Sequence, residues 1–333
     1  MTGSAVVIEI TRGPIVESRH EGIAAIVKAD GAVVASWGDI DSPVLPRSAN
    51  KPIQAMAFVE SGAIDRFGLG NEHIALACAS HNGEPRHVET VRAWLKQVGL
   101  CEDDLECGPH APRLPATVEA LIRQAAVPTP AFNNCSGKHS GFLTTAVQYG
   151  EPTKGYIKYD HPVQRRLRAI MSDLCGADAH AFPHGTDGCG IPTLATPLQA
   201  LARAMAGMAD PSRLSNKHAE AATRIRTAMN AEPFMVAGSG RFCTRINGAL
   251  PGVAQVKTGA EGVFCAMLPT LGLGVAIKMW DGAGRSAEVA MAALLDHLGV
   301  LPASQRDEIV HPPIRNVVGL LVGEMRPAKS WLG

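Results

Sequence analysis

The sequence lacks several features that define other classes of protein. It has no run of about 18 apolar residues, so no membrane-spanning helix is expected. Its 31 Lys and Arg residues balance 31 Asp and Glu residues, which argues against nucleic-acid binding because phosphate contacts need clustered basic residues. The first residues, MTGSAVVIEITRG, include neither a basic segment nor a small-residue cleavage site, so no signal peptide is expected. These absences predict a soluble, cytoplasmic protein that binds neither nucleic acid nor membranes.

Aromatic residues are also scarce, at 5%, whereas apolar residues make up 46% of the 333 positions, enough for a large packed core. None of the eight cysteines belongs to a CxxC pair, which excludes zinc ribbons and thioredoxin-like sites. Disulfides are not expected in a reducing compartment. Most of the thiols are therefore predicted to be small buried hydrophobic groups.

The order of the predicted elements indicates a sheet built from both ends of the chain. Three β-branched runs fill the first 40 residues, and Asp30-Gly31 between two of them is a hairpin signal. Helical patterns follow from about 48 to 235, and strands return at about 252–281. A helix and a last strand-like run, NVVGLLVGEMR, complete the pattern. Short turns between successive strands require antiparallel pairing.

We therefore predict an α+β fold in which an antiparallel sheet from both termini is covered by helices and lies beside a helical lobe. The prediction is one catalytic domain over residues 1–333. Its β-rich lobe spans about 1–47 plus 240–333, and its helical lobe spans about 48–239. A functional site is expected in the cleft between the lobes.

Three short motifs carry residues suited to acyl-transfer chemistry. Ser48-Ala-Asn-Lys51 opens the first helical pattern, where residues three apart share a face, so a neutral lysine can take the serine proton. Ser80-His-Asn follows an apolar segment, and Lys257-Thr-Gly ends a predicted strand. Each has an ordinary alternative, namely a chance match, a capping or Asx turn, or a solvated lysine. In this order, however, S-x-x-K, S-x-N and K-T-G are the signature set of penicillin-binding proteins and serine β-lactamases.

Longer blocks resemble a narrower family. PRSANKPIQA, ASHNGEPRHVETV, NNCSGKHSGFL, GTDGCGIPT and KTGAEGVF together are similar to the Rhizobium etli type of L-asparaginase, also called the asparaginase II family. The resemblance covers nearly the whole chain. It implies a fold related to serine β-lactamases and glutaminases, a homodimer, and hydrolysis of L-asparagine to L-aspartate and ammonia.

The resemblance also implies two Ser–Lys pairs, Ser48 with Lys51 and Ser80 with Lys257. Two neighbouring amines disfavour each other's charge, so at least one is more readily neutral near pH 7 and able to act as a base. We expect Ser48 to be the nucleophile and Lys51 its base. Ser80 and Lys257 are expected to form a proton relay that also protonates the leaving ammonia.

A metal site is predicted from two cysteines in separate segments. The thiolates of Cys135 and Cys189 are suited to form half of a tetrahedral zinc site, and spacing alone favours His139 or His184 as the third ligand. The resemblance implies instead a Zn²⁺ site of Cys135, Lys138 and Cys189 completed by water, in which the lysine must lose its proton. The alternative is two buried cysteines and a surface lysine. We expect the metal to orient the substrate rather than to supply hydroxide.

L-Asparagine needs partners for its α-carboxylate, its α-ammonium and its amide. Arg47, next to the predicted nucleophile, suits the carboxylate, and Asp187 suits the ammonium. His139 is expected to contact either group, and Asn82 is the amide donor of the S-x-N motif. The alternatives are a surface charge for Arg47, a turn residue for Asp187 and a helix-face histidine for His139.

One further pattern points elsewhere. Gly282-Ala-Gly-Arg-Ser-Ala287 matches the G-x-G-x-x-A dinucleotide pattern, but the strand before it is expected to be antiparallel, and no second strand with an acidic residue follows. We interpret it as a tight turn into a helix. The functional alternatives are a glutaminase or another small-amide hydrolase on the same fold, and a catalytically silent, zinc-dependent binding protein. Retention of both Ser–Lys pairs favours an enzyme.

Overall fold

The computed structural model describes residues 6–332, and its main sheet draws strands from both ends of that range. The strands are β1 (Val6–Arg12), β2 (Ile15–Lys28), β3 (Val33–Trp37), β4 (Pro43–Val44), β5 (His184–Thr186), β6 (Pro192–Leu194), β7 (Thr196–Pro197), β8 (Gln255–Thr258), β9 (Val263–Leu268), β10 (Leu273–Met279), β11 (Pro313–Arg315) and β12 (Leu321–Pro327). The order in the main sheet is β11-β12-β1-β2-β10-β9-β8, with β3 paired to β2, and every pairing is antiparallel. β4 pairs with β7, and β5 pairs with β6, in two small sheets.

Helices fill most of the chain between β4 and β8. They are α1 (Lys51–Glu60), α2 (Ala63–Arg66), α3 (Asn71–Ala77), α4 (Pro85–Gln97), α5 (Pro115–Arg123), α6 (Ser136–Tyr149), α7 (Pro162–Cys175), α8 (Leu198–Ala209), α9 (Asn216–Ala231), α10 (Pro233–Ala237) and α11 (Phe242–Ala249), followed later by α12 (Gly284–His297), α13 (Ala303–Ile309) and α14 (Lys329–Leu332). The predicted α+β class, with its antiparallel sheet from both termini, is confirmed.

Close packing joins the helices to the sheet. α8 packs against β2, β9 and β10, and α12 packs against β1, β9, β10 and β12. The contact with α8 requires a glycine at position 274, because a Cβ there would lie 2.0 Å from the Ala202 carbonyl oxygen. α1 is buried along most of its length among α6, α7 and α9. The start of α1 is thereby fixed at the edge of the core, where the predicted nucleophile lies.

Two local predictions have different outcomes. The Asp30-Gly31 hairpin is confirmed, since it joins β2 to β3 and Gly31 has φ 93°. The run NVVGLLVGEMR is only partly a strand: residues 316–320 form the turn between β11 and β12. The Asn316 side chain causes this turn, because its Oδ1 accepts hydrogen bonds from the N–H groups of Val318 at 3.2 Å and Leu320 at 2.9 Å.

Every cysteine except Cys101 is buried, which agrees with the predicted role of most thiols in packing. No helix within residues 6–332 combines the length and hydrophobicity needed to cross a bilayer. The two-lobe division of a single domain stays a prediction. Residues 1–5 and 333 of the predicted domain lie outside the described residues.

Candidate active site

Ser48 lies in a short 3₁₀ turn that leads directly into α1. The turn spans Arg47–Asn50, and Arg47 has φ 50°, in the left-handed region that costs a non-glycine residue about 1–2 kcal/mol. Such strain is concentrated at functional sites. Gly259 packs against this turn, since a Cβ there would lie 2.8 Å from the Pro46 carbonyl oxygen. The glycine of the K-T-G motif therefore lets the end of β8 approach the turn that carries Ser48.

Ser80 lies in a buried segment between α3 and α4. Its N–H donates a hydrogen bond to the Val236 carbonyl oxygen at 3.0 Å, which ties the segment to α10. Its hydroxyl oxygen lies 2.8 Å from Nζ of Lys257, on β8, and 3.2 Å from Nζ of Lys51, on α1. Both lysine side chains are only 1% exposed. A single serine hydroxyl thus joins two buried amines.

Burial is the largest influence on both amines, and it lowers their pKa values because a charged group loses its hydration. Burial lowers the pKa of Lys257 to about 7, and the neighbouring Lys51 charge acts in the same direction. Burial also lowers the pKa of Lys51. Lys51 donates to the Ala79 and Asn134 carbonyl oxygens, and Lys257 donates to the Thr258 carbonyl oxygen at 2.6 Å. Two repelling ammonium groups beside one hydroxyl favour a state in which the pair lacks one proton near neutral pH.

Ser48 and Ser80 line one pocket of about 490 Å³. The K-T-G strand end forms part of its wall, so all three short motifs meet there. The predicted pairing of Ser48 with Lys51 is not a hydrogen bond in this structure. Within residues 6–332 the Ser48 hydroxyl makes none, and Lys51 is directed to Ser80. The roles of the two serines as nucleophile and relay stay predictions.

Asn82 is held by protein groups on both sides of its amide. Its Nδ2 donates to Glu84 Oε1 and to the Ser239 carbonyl oxygen, each at 3.1 Å, and its Oδ1 accepts from Nη1 of Arg241 at 3.0 Å. Glu84 also accepts hydrogen bonds from the N–H and hydroxyl of Ser239, both at 2.7 Å. The predicted contact of Asn82 with substrate remains untested, and its amide already anchors the segment that carries Ser80.

Cys135, Lys138 and Cys189 converge on one buried point. Nζ of Lys138 lies 2.9 Å from Sγ of Cys189, and the Cys135 and Cys189 thiols are close enough to shift each other's pKa. The Cys135 thiol, together with the Lys138 charge, lowers the pKa of Cys189 to about 5, whereas Cys189 and burial raise the pKa of Cys135 to about 11. Across residues 6–332, no group of three or more His, Cys, Asp or Glu side chains is arranged to hold a metal ion, so a metal here would need the lysine.

Arg47 and Asp187 are bound to each other, with Nε of Arg47 2.9 Å from Oδ1 of Asp187. Neither they nor His139 line the 490 Å³ pocket. His139 is fully buried; its Nδ1 bonds the Tyr156 hydroxyl at 2.7 Å, and its Nε2 has no partner within the described residues. His184, the other histidine suggested by spacing, is exposed and stacks on Tyr159. Their predicted contacts with substrate or metal stay predictions.

Several charged residues of the pocket carried no sequence signal. Arg113, Arg241 and Glu288 line it but belong to no motif. The turn at Gly282–Gly284, which resembled a dinucleotide-binding loop, forms another wall. It follows β10, which is antiparallel to both of its neighbours, so the reason for rejecting a dinucleotide site is confirmed. The same turn could have been recognised as part of this site only from its position in space.

Comparisons with known proteins place this geometry in context. A family model described as L-asparaginase II matches residues 8–327. A search of curated proteins found no match. Similar solved structures include a putative β-lactamase from Bacteroides dorei (16% identity, 78% of this chain and 84% of that chain, TM-score 0.42). Another is Mglu in its Tris and glutamate form (12% identity, 90% of this chain and 63% of that chain, TM-score 0.46). A third is the D-alanine carboxypeptidase AmpC from Burkholderia cenocepacia (13% identity, 84% of this chain and 93% of that chain, TM-score 0.41).

Proposed function

Because the chain belongs to the L-asparaginase II family of amidohydrolases, we propose that it hydrolyses L-asparagine to L-aspartate and ammonia through an acyl-serine intermediate. One observation carries the proposal: the Ser80 hydroxyl lies between the amines of Lys51 and Lys257, in the pocket that also contains Ser48. A pair of buried amines linked by a hydroxyl is suited to moving protons and has no evident use in a protein that only binds a ligand.

Acylation begins with attack of the Ser48 oxygen on the side-chain amide carbon of the substrate. A neutral Lys51 takes the hydroxyl proton, as serine becomes a strong nucleophile only when a base is in reach. The chain of contacts from Lys51 through Ser80 to Lys257 lets Lys51 pass its proton to a neutral Lys257, which leaves Lys51 free to act as the base. The tetrahedral intermediate then carries its negative charge among buried cations, which stabilise it in a site of low polarity.

Collapse of that intermediate breaks the C–N bond and requires a proton on the leaving nitrogen. Ser80 donates it and is reprotonated from Lys257, so ammonia leaves and an ester of Ser48 remains. Water then attacks this ester, and a neutral amine of the pair accepts its proton. The bond between the acyl carbon and the Ser48 oxygen breaks, Lys51 returns a proton to that oxygen, and L-aspartate is released. Since each amine alternates between its two protonation states, a pKa near neutrality for Lys257 suits the role.

The donor set of Cys135, Lys138 and Cys189 fits a thiophilic divalent ion such as Zn²⁺. Two sulfur atoms and one amine converge in a buried place, and one thiol already has a lowered pKa. When bound, the metal would act as a Lewis acid that helps to orient a polar group of the substrate. Binding requires deprotonation of Lys138 and Cys135, so affinity should fall as pH falls. A homodimer and a cytoplasmic location stay predictions.

The test is ammonia release from L-asparagine and L-glutamine by the full-length protein, its Ser48→Ala and Ser80→Ala variants, and Ser304→Ala. Ser304 is exposed in α13, so it controls for loss of a hydroxyl elsewhere. We expect turnover of L-asparagine that Ser48→Ala abolishes. Activity that survives in Ser48→Ala but not in Ser80→Ala would move the nucleophile to Ser80. Preference for L-glutamine would indicate a glutaminase, and no turnover by a folded protein would refute the enzyme.

A further inference from the structure

The active-site pocket contains an excess of positive side chains. Three guanidinium groups, those of Arg113, Arg241 and Arg285, line it together with the carboxylates of Glu261 and Glu288. The buried amine of Lys257 adds to this charge, because it lies within electrostatic range of Arg241. A pocket of this kind favours a ligand that brings a negative group with it.

All three guanidinium groups have donors that make no hydrogen bond within residues 6–332, and those of Arg113 and Arg241 lie within electrostatic range of each other. Nη1 of Arg241 is engaged by Asn82 Oδ1 at 3.0 Å and by the Ser80 carbonyl oxygen at 3.3 Å, which fixes the group beside the catalytic serine. Its Nε and Nη2 atoms, and the whole guanidinium of Arg113, make no hydrogen bond within residues 6–332. Burial and, after it, the Arg241 charge lower the pKa of Arg113, so the two guanidinium groups lie within electrostatic range of each other.

Glu288 supplies the opposite charge. It lies one turn beyond Gly284 and Arg285 on α12, so all three share the helix face that lines the pocket. Its side chain is half-buried, yet no group in residues 6–332 donates a hydrogen bond to its carboxylate. A half-buried carboxylate without a donor is costly unless a ligand provides one.

We propose that Arg113, Arg241 and Glu288 form the subsite that recognises the amino-acid end of the substrate. The two guanidinium groups bind the α-carboxylate, and Glu288 binds the α-ammonium. The side-chain amide then extends towards Ser48 and Ser80. This inference rests on the proposed function, because it assumes an α-amino acid as the substrate.

The subsite differs from the one expected from the sequence. Nε of Arg47 lies 2.9 Å from Oδ1 of Asp187, so each of these two charges already has a counter-charge within the protein. Asp187 also lies within electrostatic range of Lys138, on the side of the cysteine cluster. We infer that this pair joins the Ser48 turn to the loop of Cys189, and that substrate recognition falls to Arg113, Arg241 and Glu288.

The experiment measures ligand binding to the metal-loaded, full-length Ser48→Ala protein by isothermal titration calorimetry. Three ligands are used: L-asparagine, succinamic acid, which lacks the α-ammonium, and β-alaninamide, which lacks the α-carboxylate. Glu288→Gln, Glu288→Asp, Arg113→Gln and Asp187→Asn are each added to this background. Glu220→Gln and Arg213→Gln, at exposed positions, are the matched controls.

We expect Glu288→Gln to weaken the binding of L-asparagine at least tenfold and to change the affinity for succinamic acid by less than twofold, because only L-asparagine of these two has the ammonium group. Arg113→Gln should weaken the binding of L-asparagine and of succinamic acid by the same factor and leave the binding of β-alaninamide unchanged. Glu288→Asp, which keeps the charge, should weaken L-asparagine less than Glu288→Gln does. These three results together would establish the subsite.

Other results overturn it. Equal losses of L-asparagine and succinamic acid in Glu288→Gln would mean that Glu288 has only a structural role. Selective loss of L-asparagine binding in Asp187→Asn, but not in Glu288→Gln, would mean that Asp187 binds the ammonium group. Absence of binding of any of the three ligands would also refute the subsite. Failure of the proposed function is seen separately: the expected binding pattern with no ammonia release would refute hydrolysis and leave the subsite standing.

Discussion

Burying Lys257 should cost the protein stability in a way that depends on pH. The side chain is 1% exposed, and burial lowers its pKa from 10.5 to about 7. Between these two values the unfolded chain binds a proton at this position that the folded protein does not. Stability must then rise with pH across that window, since it rises wherever the unfolded state binds more protons.

The size of the effect follows from the two pKa values. One pKa unit corresponds to about 1.4 kcal/mol, so the lysine costs about 4 kcal/mol at pH 7 and about 2 kcal/mol at pH 9. Replacing Lys257 by Met removes the titrating group and retains an apolar side chain of similar length. Relative to this variant, the unmodified protein should therefore gain about 2 kcal/mol between pH 7 and pH 9.

The assay is urea unfolding of the unmodified protein and of Lys257→Met at half-unit steps from pH 6.5 to pH 9, with the unfolding free energy obtained by linear extrapolation. Lys96→Met, on the exposed side of α4, controls for the loss of a lysine in general. We expect Lys257→Met to be the more stable protein at pH 7, with an advantage that shrinks as pH rises. A difference in unfolding free energy between the two proteins that stays constant or grows as pH rises would refute the lowered pKa of Lys257.

Three further outcomes follow from the same structure. The kcat/KM for L-asparagine should rise as pH increases through about 7, because Lys257 loses its proton there. Lys257→Met should lower kcat/KM at least about 100-fold, and steady-state ammonia release measures both effects. Gly274→Ala should lower the unfolding free energy, measured by urea unfolding, by more than about 2 kcal/mol, because the added Cβ would lie 2.0 Å from an atom of α8. Gly70→Ala, where the added Cβ would have no atom within 4 Å, should change it by less than about 0.5 kcal/mol. Cys189→Ser should reduce bound zinc well below that of Cys243→Ser when metal content is measured by mass spectrometry, and equal zinc in the two variants would contradict the site.

Much of the architecture could be predicted from the sequence because the signals were local. Strand runs, helix periodicity and the Asp30-Gly31 turn each act within a few residues of chain, and their order dictates an antiparallel sheet. The motif set likewise predicted that S-x-x-K, S-x-N and K-T-G belong to one site, and they do line or border one pocket. The turn at 316–320 was mistaken for strand because a hydrophobic run masks the Asn316 side chain that closes it.

The direction of Lys51 could not be predicted in the same way. A spacing of three residues shows only that Ser48 and Lys51 can share a helix face. Which hydroxyl the amine contacts depends on the carbonyl oxygens of Ala79 and Asn134, which come from two other segments and draw Lys51 towards Ser80. The pairing of Arg47 with Asp187 is similar, since 140 residues separate partners that lie 2.9 Å apart.

The charged groups of the active site are held by elements from widely separated parts of the chain. Lys51 and Lys257 are costly to bury, and each is held by an element whose own packing is extensive: α1 lies among α6, α7 and α9, and β8 pairs with the fully buried strand β9. Glu288 also lines the pocket, but its half-buried carboxylate has no hydrogen-bond donor within residues 6–332 until a ligand arrives. A zwitterionic substrate would then reduce both the repulsion among the cations and the isolation of the carboxylate. Binding energy from the amino-acid end would position the amide beside Ser48, which is how contacts remote from the reacting bond contribute to catalysis.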